Sequence, residues 1–224
     1  MDAFQTLWQR FHPDAVPVGR TLADNGTWNL TRFALLPNGR DSALSRGEFR
    51  SLIDRYNIIT TEILRPDSKT WLIVPDRAAP EWAPPEAVDP AARLRLYRLK
   101  NRYRLTPRWE YYSAADKAVY TILAGEITWR EHGFDRLFLD LYHDRLSNFI
   151  LMNAETGAVV APFMAGVYVS QPTPEALMAV VSAYSGWLPV PGQGLLRFNP
   201  AQVKPGGFQM SKAAAAALQR SLGN

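Results

Sequence analysis

Side chains that could do acid–base or metal chemistry are most concentrated between Asp140 and Asn148. Phosphoryl transfer uses a loop in which an Asp accepts a hydroxyl proton and a downstream Asn holds Mg²⁺. Asp144 and Asn148 lie four residues apart, where that loop has about five, and no Gly-rich loop or Val-Ala-Ile-Lys strand precedes them. We therefore expect a polar turn over residues 143–148 and no catalytic residues. An enzyme whose side chains converge only in the fold is the second alternative, with Asp140, His143, Asp144 and Asn148 as its site.

Metal and nucleophile sites are not indicated elsewhere. The histidines His12, His132 and His143 are scattered, whereas metal ligands must converge. The chain has no cysteine, which excludes disulfides, thiol nucleophiles and Cys-ligated zinc. It also lacks the Gly-x-Ser-x-Gly elbow that would expose a nucleophilic serine. We expect neither a metal ion nor a cofactor.

The most distinctive chemical feature is a basic segment between Asp89 and Glu110. The formal net charge of the chain is +4, and this segment alone contains seven basic residues and no acid. They are Arg93, Arg95, Arg98, Lys100, Arg102, Arg104 and Arg108. The aromatic residues within or just after it are Tyr97, Tyr103, Trp109, Tyr111 and Tyr112. One local segment, not the whole surface, makes the chain basic.

Two kinds of partner suit such a segment. Arg, Tyr and Trp are the side chains that anchor protein interfaces, so an acidic protein surface is the first. We expect a non-catalytic protein-binding module, in its concrete form an immunity-type protein that neutralises a bacterial toxin. Its partner-binding residues would be Tyr97, Arg98, Arg102, Arg104, Trp109 and Tyr112. The alternative is nucleic acid, because basic side chains neutralise phosphates and aromatic rings stack on bases.

Hydrophobic periodicity indicates the elements that must position these residues. The expected helices are residues 4–11, 45–64, 116–124, 174–187 and 211–222. The expected strands are residues 28–36, 71–74, 138–142, 149–152, 158–161 and 167–169. Ser45 and Glu48 form the pattern of a capping box, and Gly157 suits a hairpin loop. The basic segment itself fits a helix that begins at Pro90, but its alternating Arg and Leu residues also fit a strand.

These elements predict one α+β or α/β domain, a mostly antiparallel sheet or meander flanked by helices. The Pro-rich residues 75–90 are a possible internal boundary, and residues 189–224 would form a C-terminal extension with a terminal helix. The first residues, Met1 to Phe4, lack the basic and apolar parts of a signal peptide. No apolar run approaches the length of a transmembrane helix. We expect a cytoplasmic protein without a membrane partner.

An ordered set of short motifs resembles a family of uncharacterised bacterial proteins, the domain-of-unknown-function family 3885. The motifs are Arg32-Phe33-Ala34-Leu35-Leu36-Pro37, Arg55-Tyr56-Asn57, Trp71-Leu72-Ile73-Val74, Pro162-Phe163 to Val169, and Tyr184-Ser185-Gly186-Trp187-Leu188. Their order and spacing fit from about residue 28 to 188. Family members carry a Tyr-Asp-x-Gly turn where this chain has Phe163 to Gly166, so the Asp of that turn is absent.

Overall fold

The strands assemble into one antiparallel sheet with the order β3-β4-β2-β5-β6-β7-β1-β8. The computed structural model describes residues 2–24, 27–77, 90–113, 117–146, 148–203 and 210–223. Within these ranges the strands are β1 Leu30–Ala34, β2 Lys69–Arg77, β3 Thr106–Ser113, β4 Ala118–Thr128, β5 Ile150–Asn153, β6 Val159–Phe163, β7 Gly166–Ser170 and β8 Leu196–Arg197. Consecutive strands pair as hairpins at β3–β4, β5–β6 and β6–β7.

Helices cover the sheet on both faces. They are α1 Ala3–Phe11, α2 Arg46–Leu64, α3 Pro90–Tyr103, α4 Asp135–Tyr142, α5 Pro174–Ala183 and α6 Lys212–Leu222. The result is a single α+β domain, as the sequence predicts. Within the described ranges, no helix combines the length and the apolar character that a membrane crossing requires.

The two faces of the sheet contribute to two separate cores, because successive side chains of a strand point in opposite directions. On β2, Leu72 belongs to the larger core with α2, α4 and α5, while Ile73 belongs to a smaller core. The smaller core is closed by α1, whose Phe4 and Trp8 are fully buried. The helix α3 lies on the face of the larger core, into which Leu99 packs.

The N-terminus of α2 has one of the two hydrogen bonds of the predicted capping box, because the Glu48 side chain reaches the Leu44 N–H instead of the Ser45 N–H. Ser45 Oγ accepts a hydrogen bond from the Glu48 backbone N–H at 3.1 Å, which satisfies a donor of the first turn. Glu48 in turn accepts a hydrogen bond from the Leu44 N–H at 2.7 Å. The helix ends at Arg65, which has a φ of +70° and precedes Pro66. Local sequence signals were therefore sufficient to delimit this helix.

The prediction of a strand over residues 138–142 is wrong, because these residues belong to α4. Leu137, Phe138 and Leu141 are buried, and their spacing places them on one side of a helix that packs against α2. A short apolar run with one polar residue fits either period, and packing against α2 selects the helix. Residues 143–148 consequently connect a helix to β5 instead of joining two strands.

The prediction of a helix over residues 116–124 is also wrong. Residues 118–128 form β4, the longest strand, between β2 and β3. Tyr120 and Ile122 point to the smaller core and Leu123 to the larger one, so this strand is apolar on both sides. Such a strand loses the simple alternation that would identify it.

The basic segment, for which the sequence allowed a helix or a strand, forms the helix α3.

The structure describes three other expected segments in whole or in part. The helix expected over residues 174–187 ends at Ala183 and is followed by a separate 3₁₀ turn, Ser185–Trp187. Of the Pro-rich residues 75–90, 75–77 belong to β2 and Pro90 begins α3, while 78–89 lie outside the described residues. In the segment after residue 189, β8 pairs with β1 and α6 places Leu218 in the larger core.

Candidate functional site

The helix α3 is held firmly on the sheet. Tyr103 is only 8% exposed, and Lys100 Nζ lies 3.8 Å from the carboxylate of Asp76 on β2. Burial raises the pKa of that carboxyl, and the charge of Lys100 partly offsets the rise. Gly125 on β4 permits the close approach, because a Cβ there would lie 2.5 Å from the Tyr103 carbonyl oxygen. The sheet thus fixes the position of the basic helix.

The outward side of α3 combines cationic and apolar groups. Arg93, Arg98 and Arg102 are exposed. Between them, Tyr97 is 63% exposed and Leu94 is 48% exposed, although both are large apolar side chains. Large exposed aromatic side chains next to guanidinium groups are typical of the anchors of protein interfaces. We refer to residues 93, 94, 97, 98 and 102 as the outer face of α3.

Beside the outer face, a cavity of about 140 Å³ lies between α3 and α4. Its polar lining consists of Arg95, Arg98, Arg102, Tyr103, Arg136 and Asp140. The three arginines of α3 are spaced at i, i+3 and i+7 and therefore lie along one side of the helix. Four guanidinium groups and one carboxylate thus surround the same small space. We refer to this feature as the arginine cavity.

The carboxylate in the arginine cavity is hydrogen-bonded through one of its two oxygens. Asp140 Oδ2 accepts a hydrogen bond from Arg136 Nε at 3.2 Å, whereas Asp140 Oδ1 lies 3.8 Å from Arg145 and is buried without a hydrogen bond among the described residues. The side chain of Asp140 is only 13% exposed. Because Arg136 and Arg145 both pair with Asp140, the exposed Arg98 and Arg102 leave the cavity with an excess of positive charge.

The hydroxyl of Tyr103 is buried in the lining of the arginine cavity and has no hydrogen-bond partner among the described residues. Burial raises the pKa of this hydroxyl; the charge of Arg102 opposes the rise and the charge of Asp140 adds to it. The hydroxyl is therefore protonated at neutral pH and available as a donor. A buried polar group without a partner is uncommon in folded proteins.

The six residues expected to bind a partner do not form one patch. Tyr97, Arg98 and Arg102 lie together on α3, and Arg104 is exposed just beyond its end. Trp109, in contrast, packs against the smaller core on the opposite face of the sheet. The sixth expected residue, Tyr112, is 61% exposed on β3, where it pairs with Val119 of β4.

Arg108 of the basic segment has a structural role. Its guanidinium lies 2.5 Å from the carboxylate of Asp2, which also accepts a hydrogen bond from the Phe4 N–H and so caps α1. The hydrogen bond from Arg108 holds the pKa of Asp2 below its usual value. Arg108 also lies over the ring of Trp71. The seven basic residues are therefore distributed over both faces of the sheet.

The residues of the enzyme alternative contact different parts of the molecule. Asp140 lines the arginine cavity, while the ring of His143 lies 6.3 Å from that of Phe49 on α2. The Asn148 carbonyl accepts a hydrogen bond from the Gly19 N–H, and Asp144 is exposed with a φ of +52°. Among the described residues, no cluster of three His, Asp or Glu side chains could hold a metal ion.

The short motifs near residue 55 make contacts that hold elements together. Arg55 donates a hydrogen bond to the Leu35 carbonyl at 2.9 Å and lies over the ring of Trp187. The Tyr56 hydroxyl donates to the Phe163 carbonyl at 2.5 Å. These contacts join α2 to the residue after β1, to the last residue of β6 and to the 3₁₀ turn after α5. The motifs therefore build the scaffold on which α3 is carried.

Sequence reasoning missed Arg136 and named Asp140 only in the enzyme alternative, because it assigned a strand to part of α4. Their spacing of four residues on a helix was the available signal, since such a pair shares one side of a helix. It also left Tyr103 out of the expected partner-binding residues, although it named that ring among the aromatic residues of the basic segment.

Comparison with known proteins identifies one matching family. The family model described as Domain of unknown function (DUF3885) matches residues 20–190, and this confirms the resemblance expected from the short motifs. No curated protein and no solved structure matches the chain. The matched range contains both α3 and α4, and therefore the whole arginine cavity.

Proposed function

The chain belongs to the DUF3885 family, a family of unknown function, and on the chemistry of its surface we propose that it is a non-catalytic binding protein. Its outer face of α3 would hold an acidic surface of another protein. The concrete form of this proposal is an immunity-type protein that neutralises a bacterial toxin in the cytoplasm. The observation that carries the proposal is the exposure of Tyr97 beside Arg98 on a fixed helix.

The chemistry of the outer face favours a protein partner. A Tyr side chain supplies a large contact area at a small cost in conformational entropy. A guanidinium group is weakly hydrated and binds carboxylates through two parallel hydrogen bonds. Tyr97 and Arg98 are neighbours in sequence, so one acidic, partly apolar surface can engage both.

Rigidity supports the same proposal. Lys100 ties α3 to β2, and the close approach at Gly125 leaves little space between the helix and β4. A partner therefore binds side chains on an ordered backbone, which reduces the entropy lost on association. Inhibitors that bind by preformed surfaces depend on this property.

The distribution of basic residues favours a protein partner over nucleic acid. Binding along a nucleic acid strand uses a continuous groove of cations with aromatic stacking platforms. Here Arg108 pairs with Asp2, Lys100 pairs with Asp76, and Trp109 packs on the opposite face of the sheet. The basic groups that remain on the outer face cover a compact area.

Growth rescue tests the immunity-type form directly. The reading frame adjacent to the gene is expressed alone, which should arrest growth if it encodes the toxin, and then together with this protein, which should restore growth. Tyr97→Ala combined with Arg98→Glu should abolish the rescue and the co-purification of the two products. Arg50→Glu, an equal charge change on the exposed side of α2, is the matched control and should keep both. Rescue that survives the double substitution would contradict the proposal.

A salt series separates a protein partner from nucleic acid. Fluorescence anisotropy is measured between 50 and 400 mM KCl, about the range over which phosphate contacts lose most affinity, with a labelled acidic peptide and a labelled DNA strand. We expect the peptide to bind through Tyr97, with a shallow dependence on salt. Tighter binding of DNA with a steep salt dependence, lost in Arg98→Gln, would favour the nucleic-acid alternative.

A further inference from the structure

The arginine cavity gathers positive charges that favour an anionic ligand. Arg95, Arg98 and Arg102 approach it from α3, and Arg136 approaches it from α4. Arg98, Arg102 and Arg136 are exposed, so water weakens the repulsion between their guanidinium groups but does not remove it. Asp140 offsets only part of this charge, because it also pairs with Arg145. An anion inside the cavity would remove the remaining repulsion.

The Tyr103 hydroxyl is a second observation that points to a ligand in the cavity. It is a buried donor in the lining without a hydrogen-bond partner among the described residues, and Asp140 Oδ1 is a buried acceptor in the same lining that also has none there. Leaving a buried donor unsatisfied destabilises the free protein, and an oxyanion in the cavity would accept the missing hydrogen bond. The neutral hydroxyl can donate because burial raises its pKa.

We propose that the arginine cavity binds a single phosphomonoester group, presented by a phosphorylated side chain of the protein partner. This inference rests on the proposed function, because it names the group that the partner places beside the outer face of α3. Free phosphate shares the same chemistry and serves as the minimal probe. The volume of about 140 Å³ is far above what one water molecule needs and suits one compact group.

A phosphomonoester fits the arrangement better than a carboxylate or a nucleic acid backbone. It carries a charge of about −1.5 to −2 at neutral pH and three acceptor oxygens in a tetrahedral arrangement. It can therefore accept hydrogen bonds from α3, from Arg136 and from the Tyr103 hydroxyl at once. A planar carboxylate offers two oxygens in one plane, and a nucleic acid strand requires an extended groove for successive phosphates.

Calorimetric titration with inorganic phosphate tests the site. Phosphate is titrated into the full chain at pH 7.5 and constant ionic strength, with acetate as the comparison anion. We expect phosphate to bind and acetate to bind at least about tenfold more weakly, because phosphate carries more charge and more acceptor oxygens. Arg136→Gln should reduce the phosphate affinity about ten- to a hundredfold. Arg50→Gln, at an exposed position on α2 outside the cavity lining and the outer face of α3, should leave it unchanged.

Tyr103→Phe distinguishes an anion site from an internal contact. We expect this variant to bind phosphate at least about fivefold more weakly, since it lacks one donor to the anion, and to melt no lower than the unaltered protein. If the hydroxyl instead serves Asp140 in solution, the variant will melt lower and bind phosphate normally. That result, or equal phosphate affinities in the unaltered protein and Arg136→Gln, would overturn the inference.

A phosphoserine peptide separates the two proposals. We expect an acidic peptide with a phosphoserine to bind more tightly than the same peptide with serine, and the gain to disappear in Arg136→Gln. If both peptides bind equally and Tyr97→Ala weakens both, the phosphate inference fails while the proposed function stands. If phosphate binds the cavity but no acidic protein or peptide binds the outer face, the proposed function fails and the cavity takes free phosphate.

Discussion

The side-chain amide of Asn57 on α2 donates a hydrogen bond to the carboxylate of Asp135, the first residue of α4, at 2.7 Å. Asn57 is fully buried, and it also donates to the Ile53 carbonyl and accepts a hydrogen bond from the His132 N–H. The Asn57 side chain therefore holds the start of α4 against α2. Because Arg136 and Asp140 lie on α4, Asn57 indirectly positions the arginine cavity.

Asn57→Ala should lower the free energy of unfolding by about 2 to 3 kcal/mol, because it leaves the His132 N–H and the Asp135 carboxylate without their buried partner. Urea denaturation measures this change. Asn101→Ala, at an exposed position on α3, is the control and should change the stability by less than about 0.5 kcal/mol. Equal effects of the two substitutions would show that the Asn57 network does not hold α4.

Stability should fall as the pH falls below about 6.5, the ordinary pKa of histidine. His12 is buried and hydrogen bonds through Nε2 to the Gly157 carbonyl at 2.8 Å, and burial lowers its pKa. The unfolded chain then takes up a proton that the folded chain does not, so the stability present above pH 6.5 is lost toward acid.

Urea denaturation at pH 7.5 and pH 5.5 checks the role of His12. The loss between these values should not exceed about 1.4 kcal/mol per pH unit, the limit for one proton. His12→Gln should remove most of it. Arg10 and Asp14 line the same cavity as His12, and His132 and His143 are exposed. If the dependence is unchanged in His12→Gln, burial of His12 is not its cause.

Arg65→Gly should stabilise the protein by about 1 kcal/mol. Arg65 is exposed and ends α2 with φ +70° and ψ 146°, a backbone conformation that strains any residue with a Cβ. Glycine adopts it without that strain, although it adds some entropy to the unfolded chain. Thermal melting measures the gain. Arg65→Ala removes the same charge but keeps the Cβ, so it should show no comparable rise in Tm.

Tyr97→Ala and Trp109→Ala should have opposite consequences. Tyr97 is mostly exposed, so its removal should change stability by less than about 0.5 kcal/mol while it weakens partner binding. Trp109 packs against the smaller core, so its removal should cost about 2 to 4 kcal/mol and affect binding only through folding. Denaturation curves beside the peptide titration distinguish them. A strongly destabilised Tyr97→Ala would place that ring in the core instead.

Some elements could be predicted because their signals are local. The cap at Ser45 delimits α2, and the loop at Gly157, with a φ of +74°, joins β5 to β6. Phe138 and its neighbours could not be assigned correctly, because five residues with one polar position fit both periods. β4 could not be assigned either, since it is buried on both faces and lacks alternation. For these two segments, packing against α2 and against β2 and β3 decides the conformation.

By itself, the sequence determined the α+β class, the excess of positive charge in one segment and the absence of cysteine, since these depend on composition and local pattern. Only the tertiary structure decided that Trp109 and Tyr97 lie on opposite faces of the sheet, and that Arg136 and Tyr103 meet at one cavity. Residues about thirty positions apart become neighbours only when two helices pack on the same sheet face. Their proximity is a property of that packing, and no local pattern in the chain encodes it.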